Sequence, residues 1–329
     1  MMRLRNFNTF VVKIKALHLH FIHHIKNKNM LTCQKHLFDL EPHVHYINGA
    51  YMSPLSRAAA AAGEAAIRDK MRPYHITPAD FFTDVDHLKQ LFAQIINAKH
   101  AHQVALTPSV SYGMATVCKN IKLKKGQNIV IAEAQFPSNV YPWRLLAKEK
   151  NATIKTVPYP IELQNSRGKT WNQRVLEAID SQTRVVSLSH THWANGTIFD
   201  LKSIGKRCKE VGAVFVIDGT QSVGAMPIDV QDFGIDALIC GGYKWLMGAY
   251  SLGYAYFGEA FANGKPLEEA WTNRTDAENF AALVDYKDTY KPLSIRYDMG
   301  EKSNFINVPI NIAALKQLLD IGIDNIQNY

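Results

Sequence analysis

The chain has no apolar run approaching the roughly 20 residues that a membrane-spanning helix needs. It is also poor in cysteine. Cys33, Cys118, Cys208 and Cys240 are scattered through 329 residues without C-x-x-C or C-x-x-H spacing. Neither a disulfide framework nor a cysteine metal site follows from that spacing, and a reducing compartment is the expectation. The first 29 residues contain no acidic residue. Arg3, Arg5, Lys13, Lys15, Lys26 and Lys28 give this leader +6 of the formal net charge of +8, which leaves +2 for the remaining chain. A body so close to charge balance carries no phosphate-binding stripe, so the positive charge does not point to nucleic acid.

What the chain does have is a globular composition, 47% hydrophobic and 20% charged, at the average of folded domains. Its length suits one large domain with a smaller appendage. Short apolar runs bounded by turn residues alternate with amphipathic stretches. Runs at 104–106, 128–132, 185–188, 213–217 and 237–240 read as strands, those at 213–217 and 237–240 as buried parallel ones, and 153–157 continues the alternation as a further strand. The spacing predicts helices over 84–98, 172–179, 200–211 and 312–319, and one over 54–71 with Ser53 as cap and Pro54 at its first position. This alternation is that of an α/β fold, a mostly parallel sheet flanked by helices.

The chain is organised around residues 214–258. One apolar run ends on Asp218 and the turn Gly219-Thr220, and another ends in Gly241-Gly242-Tyr243-Lys244. In open α/β sheets, functional groups gather at the carboxyl ends of the strands. An acid and an amine 26 residues apart in sequence therefore face one crevice. That pairing suits pyridoxal phosphate, whose carbonyl takes a lysine and whose ring nitrogen takes a carboxylate. A partly desolvated lysine is also nucleophilic near neutral pH.

The sequence Asp218-Gly219-Thr220-Gln221, followed after a spacer by the glycine turn and Lys244-Trp245, resembles the cofactor core of fold-type I pyridoxal-phosphate enzymes. The resemblance is to the aminotransferase class V and cysteine desulfurase group. It implies a PLP-dependent transferase large domain with a seven-stranded sheet, acting as a cytoplasmic homodimer on a small amino-acid-type substrate. Lys244 would be the catalytic residue and Asp218 the partner of the pyridine nitrogen. Gln221 would bond the ring hydroxyl oxygen, with His192 also tuning it. The turn over residues 107–113 would take the cofactor phosphate, with the Val110 amide and Ser111 hydroxyl as donors. Such a turn opening a helix presents free N–H groups to an anion.

Phe136 falls where an aromatic ring stacks on the pyridine. Many desulfurases carry histidine there, and phenylalanine stacks but cannot move a proton. Trp193 falls where desulfurases usually have an asparagine on the ring hydroxyl, and indole cannot reproduce an amide. Gly241 and Tyr243 replace the Ser and His that commonly hold the phosphate, Tyr243 keeping a hydroxyl donor. His190 and His192 lie two apart on a turn without a neighbouring Cys or carboxylate cluster, so no metal site is expected.

By the same resemblance, residues 46–50 form a short strand at the mouth of the site, and residues 296–305 form a loop crossing a dimer interface. The expected division is a basic leader over 1–29, disordered or not native, an N-terminal segment over 30–75 and a cofactor-binding large domain over 76–308. Residues 309–329 would begin a C-terminal small domain that breaks off, one that in the family carries a carboxylate-binding arginine and, in desulfurases, a catalytic cysteine. Met30 is the expected natural start; the alternative is a mitochondrial leader, which the lack of serine enrichment disfavours. Transamination, cysteine-lyase or desulfurase-like elimination and epimerisation share the residues named. The competing reading is a truncated, catalytically inactive homologue that binds the cofactor or dimerises.

Overall fold

Seven short segments pair into one sheet. A computed structural model of the chain describes residues 31–329. The expected leader over 1–29 and the start at Met30 lie outside the described residues. The strands are β1 (Val104–Thr107), β2 (Asn128–Ala132), β3 (Thr153–Val157), β4 (Thr183–Ser189), β5 (Val214–Asp218), β6 (Ala237–Gly241) and β7 (Gly253–Phe257), in the spatial order β1-β7-β6-β5-β4-β2-β3. Only β7 runs antiparallel, to both of its neighbours. The C-terminal ends of β1 and of β2 to β6 therefore share one edge of the sheet. The seven-stranded, mostly parallel architecture expected from the sequence is present.

The central strands are apolar throughout because helices cover both faces. Along β5, Phe215 and Ile217 enter one core, while Val214 and Val216 enter the other. The first core takes Val85, Leu88 and Phe92 from the helix Thr83–Ile95. It also takes Trp171 and Val175 from the helix Arg167–Ala178 and Ile204 from the helix Leu201–Val211. In chain order these helices and their companions are α1 (Arg57–Lys70), α2 (Thr83–Ile95), α3 (Val110–Asn120), α4 (Tyr141–Lys150), α5 (Arg167–Ala178), α6 (Leu201–Val211), α7 (Asn307–Ile321) and α8 (Ile323–Asn328). The second core is built on Met114 and Val117 of α3 and Trp143 and Leu146 of α4. Phe92 stacks on Tyr254 at 4.3 Å with the rings 8° apart, which fixes α2 on β7.

Two expectations change. The helix placed over 54–71 begins at Arg57, and its cap is Ser56, whose hydroxyl accepts from the Ala59 N–H at 3.2 Å. Ser53 is used elsewhere: its N–H donates to the Tyr243 carbonyl at 3.1 Å, strapping the chain across the turn before Lys244. Residues 46–50 form no strand, because a lone extended segment has no ladder to join; they are irregular and end in a turn at Gly49-Ala50. Tyr297, Asp298, Met299 and Lys302 are buried within this chain, and the Met299 N–H donates to the Leu106 carbonyl at 2.9 Å.

The boundary placed after residue 308 falls in the first turn of α7. Ala59 of α1 packs with Ile310 and Ala314 of α7, and Ile310 presses on Gly63, where an added Cβ would lie 2.8 Å from Ile310 Cδ1. Val308, Leu315 and Leu318 belong to the main core. The two terminal segments close over the same face of the large domain because both present small and aliphatic residues there.

Candidate active site

Three strand ends and one helix end converge on a cavity of about 370 Å³, within the range of small-ligand pockets. Asp218, the last residue of β5, projects to the side covered by α3 and α4, in line with Val214 and Val216. Its Oδ1 accepts from the Thr220 N–H at 3.0 Å. Lys244 follows β6 in a tight turn, closed by Gly248 N–H donating to the Gly242 carbonyl at 2.8 Å and Met247 N–H donating to the Lys244 carbonyl at 2.9 Å. That turn lies hard against α7. A Cβ at Gly248 would sit 2.1 Å from Asn311 Oδ1, which also accepts from the Tyr254 hydroxyl at 3.1 Å. Only glycine allows so close an approach.

Asp218 and Lys244 are both buried and line the cavity, yet they form no ion pair with each other. Burial raises the Asp218 carboxyl above its ordinary value, while Thr220 and Lys244 oppose the shift. Burial lowers the Lys244 ammonium, with Asp218 opposing. The site thus holds a desolvated acid and a desolvated amine with room for a ligand between them, and a desolvated amine is the more readily neutral and nucleophilic.

Also lining the cavity, Ser109 caps α3, its Oγ accepting from the Tyr112 N–H at 3.2 Å and lying 2.9 Å from Ser111 Oγ. Val110 and Ser111, the first two residues of the helix, keep their N–H groups directed out of its end and line the cavity. An anion fits that end.

The aromatic residues named from the sequence are also here. Phe136 and Trp193 meet edge to face at 5.6 Å and 87°, and the Trp193 N–H donates to the Ala134 carbonyl at 2.7 Å. Lys244 Nζ lies 5.6 Å from the Phe136 ring and 5.8 Å from the Tyr243 ring. Tyr243 leans over Gly241, where a Cβ would be 2.8 Å from Tyr243 Cε1, and it packs edge-on to Tyr250 at 4.7 Å. Gly241 and Tyr243 are therefore a matched pair: the ring fills the space that a side chain at 241 would need.

Two sequence expectations meet different partners. Gln221 lines the cavity, but its Nε2 donates to the Ala50 carbonyl at 3.0 Å and its Oε1 accepts from the Trp245 N–H at 2.9 Å. Its amide is held by the N-terminal segment, with one N–H still to give. His192 is not brought to the cavity wall. Its Nε2 donates to the Glu133 carbonyl at 3.1 Å, and its ring packs on Trp171 at 4.9 Å, on the α5 side of the sheet. The correction is one of direction: the turn after β4 sends the side chain back into the core, and burial lowers its pKa there.

Ser189 and Tyr250 line the cavity and were missed. Ser189 ends β4, so the strand-end rule that singled out Asp218 would have found it. Tyr250 stands in a loop without periodicity, and no local signal marks it. Among the described residues no cysteine lines the cavity, and no group of three or more His, Cys, Asp or Glu side chains could hold a metal ion.

Comparison with known proteins gives consistent findings. The family model described as aminotransferase class-V matches residues 68–328. An uncharacterized aminotransferase of Bacillus subtilis is 26% identical over 72% of this chain and 60% of its own length. A probable cysteine desulfurase of Pyrococcus abyssi is 31% identical over 73% of this chain and 57% of its own. The chain thus spans under two thirds of these relatives' lengths. A solved variant of the enzyme C-DES, with glycine covalently linked to its PLP cofactor, superposes with a TM-score of 0.78 at 19% identity, covering 89% of this chain and 76% of that one.

Proposed function

Because the chain belongs to the aminotransferase class-V family, we propose that the cavity binds pyridoxal phosphate and that the protein uses it as a transferase or lyase on an amino acid. The observation that carries this reading is that Asp218 and Lys244, both buried and not paired with each other, line one cavity with the open end of α3. The donor set fits the group: an acid for a ring nitrogen, an amine for an aldehyde, and free amides with a hydroxyl for a phosphate.

When bound, the cofactor supplies an electron-withdrawing ring that drains charge from the substrate's α-carbon. The chain's own residues do the rest. Asp218 keeps a proton on the ring nitrogen. Lys244 would hold the cofactor through its amine, and the same amine would move a proton to or from the substrate's α-carbon. The Val110 and Ser111 amides and the Ser111 hydroxyl bind the phosphate, and Tyr243 lends a phenol. Phe136 packs on the ring and, with Trp193, keeps water from that side. Gln221 contributes its remaining N–H to the ring hydroxyl.

Two relatives' names, cysteine desulfurase and cystine C–S lyase, put sulfur amino acids first among substrates to test. No persulfide-carrying cysteine is assigned. We read the protein as a cytoplasmic homodimer; among the described residues no helix is long and apolar enough to cross a membrane. The inactive-homologue alternative is not favoured, because the family match and the relatives named cysteine desulfurase support a working enzyme.

The test is the visible absorption of the protein with pyridoxal phosphate, then borohydride reduction and peptide mass mapping. A reduced pyridoxyl adduct on Lys244, absent in Lys244→Ala, is the expected result. An adduct spread over surface lysines, with both proteins behaving alike, would refute the reading.

A further inference from the structure

A further cavity, of about 540 Å³, lies at the edge of the sheet away from the cofactor cavity. Ala213 and Asp236, which immediately precede β5 and β6, line it. Asp218 and Gly241, which end the same strands, line the other. The length of β5 separates the two, roughly 16 Å.

Two buried polar side chains face this space without a protein partner. Gln103 directly precedes β1 and is 7% exposed. Its Oε1 accepts from the His100 N–H at 3.2 Å, and among the described residues its Nε2 donates to none. Tyr256 of β7 is 5% exposed, and its hydroxyl likewise has no partner among the described residues. A desolvated amide and phenol left unpaired are unfavourable, and where they persist a ligand is an expected partner.

The charges around them are of both signs. Asp236 Oδ2 accepts from the Phe215 N–H at 2.8 Å, while its Oδ1 has no donor among the described residues. Burial raises this carboxyl, with Phe215 and Arg184 opposing. The Tyr256 hydroxyl is close by: a Cβ added at Gly258 would lie 3.3 Å from the Asp236 carbonyl oxygen and 3.4 Å from that hydroxyl. Lys99 and Lys209 also line the cavity, as exposed ammonium groups. An anion alone would leave Asp236 without a donor, and a cation alone would leave the Gln103 amide without an acceptor. A ligand carrying both charges satisfies both, and the volume is that of a small-molecule site.

We propose that this cavity binds a small zwitterion, an α-amino acid or short peptide, its ammonium group on Asp236 and the Tyr256 oxygen and its carboxylate on the Gln103 amide and Lys99. The site stands apart from the cofactor cavity and does not depend on it.

The experiment is calorimetric titration of the full chain with free amino acids and with alanyl-alanine, comparing wild type with Tyr256→Phe, Gln103→Leu, Asp236→Asn and Lys244→Ala. Wild type and Lys244→Ala are expected to bind alike. Tyr256→Phe and Gln103→Leu should each weaken binding roughly five- to tenfold. Asp236→Asn should weaken it further, as should N-acetylation of the probe, which removes the ammonium group. Tighter binding of alanyl-alanine than of alanine would assign the site to peptides, and the reverse to free amino acids. Because its hydroxyl has no protein partner, Tyr256→Phe should leave the thermal midpoint of the ligand-free chain within about 2 °C of wild type. A larger fall would show a structural hydroxyl and overturn the proposal. So would the absence of binding by every probe at millimolar concentration, or binding that Lys244→Ala abolishes and Tyr256→Phe leaves intact.

Discussion

Replacing Asp298 by alanine should be among the most damaging single changes in this chain, although Asp298 lies outside the cavity lining. Asp298 Oδ2 accepts from the ammonium groups of Lys89, on α2, and of Lys302, the latter at 2.9 Å. Its Oδ1 accepts from the Leu106 N–H at 2.8 Å. The three side chains are at most 3% exposed. Removing the carboxylate strands two buried ammonium groups and one strand N–H. Breaking a buried ion pair costs about 3–5 kcal/mol, and an orphaned backbone N–H about 1–3 kcal/mol more. Against a total stability of roughly 5–15 kcal/mol, the loss is a large part of the whole. At about 2–4 °C per kcal/mol, the thermal midpoint should fall by roughly 10 °C or more. Leu106 is two residues before Pro108 on the cavity wall, so cofactor affinity should fall too.

Lys89→Met should be far milder, because Asp298 keeps Lys302. It should also change the pH dependence in a defined way. Burial holds the Lys89 ammonium below its ordinary 10.5 despite Asp298. The unfolded chain therefore binds more protons between that lowered value and 10.5, and stability rises with pH across the window. Lys89→Met should flatten that rise when midpoints are compared from neutral pH to pH 10. Burial resists ionisation of Asp298, yet Lys302 and Lys89 hold its carboxyl below 3.8, so its contribution is present above 3.8 and lost as pH falls through the lowered value. An Asp298→Ala midpoint within a degree of wild type would show that this triad does not hold the second layer of the site together.

Other consequences are equally specific. The rate of pyridoxal phosphate capture by Lys244 should rise with pH through a value below 10.5, and Asp218→Asn, which removes the opposing charge, should move that profile to lower pH; stopped-flow absorbance reads both. Gly241→Ser should weaken cofactor binding several-fold, because its Cβ would meet the Tyr243 ring at 2.8 Å, and adding Tyr243→His should recover most of the loss, a coupling measurable as a double-mutant cycle. Gly205→Ala on α6 should cost at least about 1–3 kcal/mol, since its Cβ would lie 1.9 Å from the Phe233 carbonyl oxygen; a thermal midpoint equal to wild type would contradict that packing.

Local pattern settled much of this protein. A continuous apolar run bounded by turns located β2 to the residue, because a strand covered on both faces carries no polar alternation; β3, an edge strand with most of its residues exposed or half-buried, was found from its place in the β-α alternation. The strand-end rule brought Asp218 and Lys244 to one crevice from sequences that are local and strongly patterned.

What only the tertiary structure decided is what depends on partners distant in the chain. Lys89 and Asp298 are 209 residues apart, and nothing in either neighbourhood announces the other. The Gln221 amide is taken by Ala50, 171 residues away, and Ser53 is drawn from its expected cap to the Lys244 turn. His192 and Trp193 are adjacent in sequence, yet one is turned into the core and the other onto the cavity. A turn has no period from which to read direction; its side chains go where the packed strands on either side leave room.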